Sequence, residues 1–451
     1  MKINKVYKGA IILAIGSFIT KILGALYRVP LTTLLGVELL GVYQMVFPMY
    51  TALLDVSSAG VPSGISKLIA NDTKNKKDYL IGGLLSFGII GFLAFLVMFV
   101  FARHLSVFQG NVSAILAYKT LSPAVFIVAI IACFRGYFQG QMNMRPTAFS
   151  QIIEQGVKFL FGILFITKFD IFNSKVLSAI FAVVLSEVFA LVYLVAVFII
   201  TEKRNKTVTA FKLDQSIVLT KPSIFTICKK VLKTSLPIML LSVIFPIGCL
   251  VESSFIIKVL TNYGHNGVTI YGLYSGAATS VVNLPVSVCY GLAVVAVPTL
   301  SAKINNLNEK TSSQKTLILL TFVFSFLGAL CLVVFSPLAV KILFPRLGDY
   351  HKLTVNLIRA MSVSVVFISL LQTLHSCLIA KGKTYIAIIN AGVSIALKIL
   401  LTAILIKIPN LGVFGAVISN TLCYLLAVFL NLMYIKLYGN KKDTNRTNPN
   451  G

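Results

Sequence analysis

The chain has 451 residues, 57% of them hydrophobic and only 12% charged, about half the charge of a soluble domain. A mean hydropathy of +0.91 excludes a water-soluble enzyme, a disordered scaffold and a disulfide-stapled secreted domain. What remains is a polytopic helical membrane protein, because backbone in lipid must hydrogen-bond within its own helix.

Apolar runs of spanning length, about 20 residues, lie near 9–29, 40–66, 79–101, 113–134, 146–167 and 176–200. A second set lies near 233–257, 268–299, 316–336, 354–379, 385–407 and 411–435. The first run follows Lys2, Lys5 and Lys8, is interrupted by Lys21, and shows no small-residue cleavage pattern. It therefore reads as an uncleaved span rather than a signal peptide. With a cytoplasmic N-terminus, 26 of the 40 Lys and Arg fall in inner segments and nine in outer ones. That is the positive-inside asymmetry expected of an even number of spans, with both termini cytoplasmic. The cations sit in short gaps between apolar runs, so the +27 net charge reads as topology and attraction for anionic lipid, not as a nucleic-acid footprint. The basic stretch 201–232 is the longest inner segment. It divides the chain into bundles at 1–200 and 233–437, and a polar tail at 438–451 is expected to be disordered.

The two halves echo each other. Pro48 and Pro62 in the second span correspond to Pro285 and Pro298 in the eighth, displaced by 237 and 236 residues. At a displacement of 240, Lys119 meets Arg359, Ser122 meets Ser362, and Lys158 meets Lys398. The expected architecture is all-α, with about twelve transmembrane helices in two pseudo-symmetric six-helix bundles around a central cavity. Six is even, so the halves run the same way, related by an axis along the membrane normal. The four prolines are either hinges or fixed packing kinks.

A charge at the bilayer centre costs at least about 2.5–3.5 kcal/mol and is a functional candidate by default. Lys21 and Arg28 lie in the first span, Asp55 in the second, Glu154 and Lys158 in the fifth, and Glu187 in the sixth. Glu252 lies in the seventh span, His375 in the tenth and Lys398 in the eleventh. Lys158 and Lys398 are repeat-equivalent, and each lies about 18–20 Å along its helix, near the midplane. With Lys21 and Arg28 they suit a central cavity facing an anionic group. Arg is the better phosphate fork and Lys a point charge. The plainer alternative for Arg28 is snorkelling to the outer interface. Glu154 and Lys158, four apart, share a helix face and either pair or meet substrate. Asp55, Glu154, Glu187 and Glu252 are candidates for ion coupling or for salt bridges to these cations. Lys119 and Arg359 are read as an outer gate. His375 reads as a satisfied core residue.

Enzymatic chemistry has little footing. The seven cysteines and four histidines are scattered without metal-ligand spacing. Gly382-Lys383-Thr384 has Cys377 where a phosphate-binding loop needs glycine. No nucleophile–base pair is evident. The expectation is a non-enzyme without cofactor, apart from a coupling cation of unspecified identity.

From Arg135 the chain reads Arg-Gly-Tyr-Phe-Gln-Gly-Gln-Met-Asn-Met-Arg-Pro, then Ser150-Gln151 and Glu154-Gln155. This block closely resembles the stage V sporulation protein B group. These are polysaccharide and peptidoglycan-precursor flippases of the multidrug/oligosaccharidyl-lipid/polysaccharide exporter superfamily. Thr20-Lys21-Ile22-Leu23-Gly24 with Arg28, Gly60-Val61-Pro62 with Ile65-Ser66-Lys67-Leu68, and Leu411-Gly412-Val413-Phe414-Gly415-Ala416 resemble further stretches of the group. The similarity runs over nearly all of 5–437. By it, Lys21, Arg28, Lys158, Glu252 and Lys398 fall where the family has like residues, while Asp55 and His375 match no family position. Members of the group typically continue into two further helices, and the spans read here end at the twelfth.

The resemblance implies a flippase in a bacterial cytoplasmic membrane. It would carry an undecaprenyl-pyrophosphate-linked saccharide, such as a peptidoglycan precursor for spore cortex or another polysaccharide unit, by alternating access. Its partners would be that lipid-linked sugar, the bilayer and cell-wall synthesis machinery, with no nucleic acid. The membrane potential or a coupled ion would supply energy. The rival on the same fold is a multidrug/cation antiporter, which would want an acidic, aromatic site.

Overall fold

A computed structural model describes residues 2–72, 75–169, 173–209, 223–302 and 307–438. Residues 210–222 of the expected basic linker, Lys303 and residues 439–451 of the expected tail lie outside the described residues. Among the described residues every regular element is helical.

The first unit, Met1–Pro246, opens with α1 (Lys2–Met45), which is broken at Gly36, where φ is 75° and ψ 174°. Only glycine takes that conformation without a Cβ penalty, so the turn between the first two expected spans falls there. The second span is then segmented into α2 (Phe47–Leu54), a π-helical stretch Asp55–Ala59, and α3 (Val61–Asn71). Pro48 and Pro62 each sit in the first turn of a segment, where a missing N–H costs nothing. The hydroxyls of Ser57 and Ser58 both donate to the Leu54 carbonyl, at 3.1 and 2.6 Å. They satisfy a group that the π stretch leaves short. There follow α4 (Lys76–Val100), the short α5 (Ala102–Phe108), α6 (Ile115–Gly140), α7 (Arg145–Leu164) and α8 (Lys175–Thr209). Helix α9 (Ile224–Asn262) runs from the first unit into the second.

The second unit, Ile247–Gly451, continues with α10 (Gly267–Tyr271), a π-helical stretch Gly272–Ala278, and α11 (Thr279–Ala302), which contains Pro285 and Pro298. Then come α12 (Leu307–Leu343), α13 (His351–Ala380), α14 (Thr384–Leu405) and α15 (Val413–Tyr438). The units divide at Pro246, inside the seventh expected span, rather than in the basic stretch 201–232. Helix already occupies 201–209 and 224–232.

Ten described stretches are long and apolar enough to cross a membrane. One of them, Ile19–Asn71, is 53 residues long and holds the first two expected spans on either side of Gly36. The eighth expected span is the α10–α11 stretch. The protein is therefore an all-helical, multi-pass membrane protein.

Each unit is organised around one central helix. In the first, α6 packs against α3, α4 and α8, and α7 against α8. In the second, α13 packs against α11, α12 and α15, and α14 against α15. The same packing scheme thus recurs in the two halves, as the displaced prolines and lysines imply. Ser122 of α6 and Ser362 of α13 are both buried. Each donates back to its own helix, to the carbonyls of Lys119 (2.8 Å) and Arg359 (2.6 Å).

The close approach of α3 to α6 depends on two glycines one turn apart. A Cβ on Gly136 would lie 2.9 Å from Ile65 Cβ and 3.0 Å from Pro62 Cα. One on Gly140 would lie 2.7 Å from Ile69 Cβ. Small residues at i and i+4 let backbones meet where lipid offers no hydrophobic driving force. Val61, Ile65 and Ile69 of α3 pack here with Phe87, Cys133 and Tyr137 in a buried core.

Candidate functional site

The first unit gathers charge within its spanning helices. Arg135, near the C-terminal end of α6, reaches across to α7. Its Nε donates to Ser150 Oγ at 3.0 Å, and Nη2 donates to Glu154 Oε2 at 3.0 Å. Gln155 Nε2 donates to the other oxygen of Glu154 at 3.0 Å. Glu154 is therefore held by Arg135, not paired with Lys158. A planar guanidinium can hold a carboxylate and a neighbouring hydroxyl together, which an ammonium four residues along the same helix cannot.

Lys158 lies one turn further along α7, half-buried, within electrostatic range of Glu154, Glu187 and Arg28. Glu187, on α8, is 6% exposed, and its Oε2 has no hydrogen-bond partner. Tyr50 of α2 is buried within range of both acids. Helix α1 is held against α7 by Tyr27. Its ring occupies the space left by the missing side chain of Gly162 and meets Phe159 edge-on at 6.3 Å. That contact brings Arg28, the next residue, toward Lys158. Arg28 and Lys21 are both half-buried on α1, and Arg28 also lies near Tyr43. The structure thus brings Arg28, Lys158, Glu154 and Glu187 together. Asp55 stands apart from this cluster as the first residue of the π-helical stretch in the second span.

The second unit treats its lysine differently. Lys398 Nζ of α14 lies 2.8 Å from Glu252 Oε2 of α9, with side chains only 2% and 4% exposed. Tyr274, in the π-helical stretch, donates to the other oxygen of Glu252 at 3.1 Å. Cys249 Sγ sits 3.8 Å from the ammonium. Both carboxylate oxygens and the ammonium are thereby engaged inside the unit. No acid lies within four positions of Lys398 in the sequence; its partner is 146 residues away. Only the packing of α9 on α14 supplies it, where Gly248 admits the Ile395 side chain.

The two expected gate residues are each engaged within their own unit. Lys119 Nζ stands 5.4 Å from the Phe99 ring centroid, a cation–π arrangement. Arg359 Nε donates to Ser336 Oγ at 3.2 Å and the Val333 carbonyl at 3.3 Å.

A further cluster escaped the sequence reading. Where the N-terminal end of α4 meets the C-terminal ends of α6 and α8, Glu202 takes Lys77 at 2.5 Å, Lys76 at 3.6 Å and the Tyr137 hydroxyl at 2.5 Å. Lys76 also donates to Gln141 Oε1 at 3.1 Å. Tyr137 and Gln141 belong to the 135–155 block, and Glu202 lay in the stretch read as linker. The signal was an acid, one of two with Asp214, in a segment dominated by basic residues.

Compared with known proteins, the chain matches the polysaccharide biosynthesis protein family over residues 6–304. It belongs to that family. It is 26% identical over 432 residues to stage V sporulation protein B of Bacillus subtilis, covering 91% of this chain and 80% of that one. It is 22% identical over 458 residues to the lipid II flippase MurJ of the same organism, covering 96% and 83%. Among solved structures it resembles an inward-facing multidrug resistance transporter of the MATE family and MOP superfamily. The TM-score is 0.74 at 17% identity, covering 94% of this chain and 96% of that one. That likeness shows the fold. The resemblance carried by the 135–155 block is thus shown at the level of the whole chain, and the protein is a membrane transporter of the flippase type.

Proposed function

We propose that the protein moves an undecaprenyl-pyrophosphate-linked saccharide across a bacterial cytoplasmic membrane by alternating access, with both termini cytoplasmic. The observation that carries this is the cationic surplus of the first unit's cluster. Arg135 is committed to Glu154. The other charged members are Arg28, Lys158 and Glu187, with Lys21 on the same helix as Arg28; Lys158 lies within electrostatic range of both Arg28 and Glu187. Such a group of cations replaces water around a pyrophosphate while the lipid tail stays in hydrocarbon. The relatives point the same way, one being a lipid II flippase. Lys398 contributes through its ion pair with Glu252 rather than as a free cation. The antiporter reading calls for a site dominated by acid, and neither cluster is of that kind.

The test is reconstitution with labelled lipid-linked precursor, following headgroup translocation. Arg28→Ala and Lys158→Ala are expected to lose at least about tenfold in rate, equivalent to ~1.4 kcal/mol. Wild-type rates in both variants, or extrusion of a cationic dye in place of the lipid, would overturn the reading.

A further inference from the structure

The part of α9 that belongs to the first unit, residues 224–246, packs through one face and leaves the opposite face uncovered. Ile227, Val231, Ser235 and Met239, each one turn from the next, are buried. Cys228 Sγ donates to the Gly82 carbonyl of α4 at 3.6 Å, and Gly60 and Gly64 of α3 leave room for Ser235. The opposite face carries Phe225, Lys229, Lys233, Leu236 and Leu240 in that order, all exposed, with exposed Lys230 at its edge. Steps of three and four keep them on one stripe. Phe225, at 75%, is the most exposed large apolar side chain among the described residues. None of the three lysines forms an ion pair among the described residues.

The neighbouring helices fix the level of these lysines. Gly82, which meets Cys228, lies five residues beyond Lys77 of α4. Lys233 lies five residues beyond Cys228, which sets it about 15 Å from the level of Lys77 at 1.5 Å per residue. Helix α3 agrees: Ser235 lies against Gly64, about 12 Å along the helix from its end at Asp72. At these levels α4 turns Ile81, Leu85 and Ile89 outward, so acyl chains surround the bundle there. Lysines at helix ends snorkel to the headgroups, but Lys233 is too deep for that. Cations at such a depth are costly unless an anion comes down to meet them.

We propose that this face of α9 is an entry seat for the lipid-linked saccharide, matched in order to its sugar, pyrophosphate and polyprenyl chain. Lys229, Lys230 and Lys233 are three point charges for a pyrophosphate that carries two negative charges when esterified at both ends. Leu236 and Leu240, deeper on the same stripe, take the start of the hydrocarbon chain. Phe225, one turn toward the water from Lys229, offers its ring to the apolar face of the sugar. The seat lies at the end of the membrane where α4 and α9 begin, the cytoplasmic side in the topology proposed above. It deepens the lipid-linked-cargo reading and rests on it. Its role is to gather cargo before the Arg28–Lys158 cluster acts.

The experiment follows headgroup translocation by the full chain in phosphatidylcholine liposomes, against the surface density of labelled undecaprenyl-pyrophosphate-linked N-acetylhexosamine. Lys229→Gln, Lys230→Gln and Lys233→Gln combined are expected to raise KM at least about tenfold. They are expected to leave kcat and the thermal transition at wild-type values, because a seat that only delivers cargo contributes uniform binding. The three lysines replaced by arginine, which keeps the charge, are expected to restore KM. Phe225→Ala is expected to raise KM for the sugar-bearing lipid and to leave inhibition by sugar-free undecaprenyl pyrophosphate unchanged. An unchanged KM in the triple glutamine variant, or a loss confined to kcat, overturns the seat and leaves the Arg28–Lys158 reading intact. So does phosphatidylglycerol that, added to the liposomes, raises the wild-type KM to the variant's value, since the lysines then bind any anionic lipid. Absence of translocation by the wild type at every density overturns the cargo reading itself. Should the triple variant not insert, Lys233→Gln alone, expected to raise KM with kcat kept, carries the same test.

Discussion

The two repeat-equivalent lysines show how context decides what a charge does. Lys398 is closed off by Glu252, whose other oxygen is held by Tyr274. Removing one partner strands a buried charge. Lys398→Ala is therefore expected to destabilise the protein by about 3–5 kcal/mol, read as a lowered thermal transition in detergent. Replacing both partners by uncharged residues of similar volume, Lys398→Met with Glu252→Gln, should recover most of that loss, because no charge is then left alone. Lys158, half-buried and in a mixed cluster, should behave in the opposite sense: Lys158→Ala should alter substrate handling far more than melting. Arg135→Lys should lower stability by about 1–3 kcal/mol despite keeping the charge. An ammonium cannot hold Glu154 and Ser150 in the same planar arrangement. A melting temperature within error of the wild type would show that the fork is not needed.

At the level of helices, the segmented second span and its counterpart in the second unit each contain a π-helical stretch. Prolines at the first turns of α2 and α3 remove no hydrogen bond, so they act as start signals for segments rather than as interruptions of a continuous helix. The π-helical stretches supply the irregularity, and serine hydroxyls absorb part of its cost. The contact of α3 with α6 is more rigid. Gly140→Val would place a branched side chain against Ile69, and overpacking of this kind typically costs about 1–3 kcal/mol. The expected result is a lowered thermal transition, while Gly88→Ala, where nothing lies within 4 Å of the added Cβ, should not lower it, alanine being the better helix former. Equal effects at both sites would rule out close packing as the reason for glycine at 140.

For the molecule as a whole, the repeat gives two units with the same internal packing scheme and different electrostatics. The first carries an acid–base cluster with surplus cation, and the second a sealed ion pair. If the cargo carries two negative charges outward, an interior-negative membrane assists it by about 2.3 kcal/mol per charge per 100 mV. Translocation in proteoliposomes is therefore expected to accelerate when a potassium diffusion potential makes the side of departure negative, and to slow when the sign is reversed. Indifference to the potential would mean that compensating charge travels with the lipid.

Composition and periodic apolar runs by themselves determined the membrane class, the helical fold and the spans, because a lipid solvent forces every backbone group to be satisfied within its own segment. The displaced prolines and lysines likewise carried the two-fold internal repeat, and the 135–155 block carried the family. The pairing of charges was not in the sequence pattern. Glu252 reaches Lys398 from 146 positions away, and Arg135 takes Glu154 from a neighbouring helix in preference to the lysine one turn along. Which cation pairs with which acid depends on which helix faces lie together, and only tertiary packing fixes that.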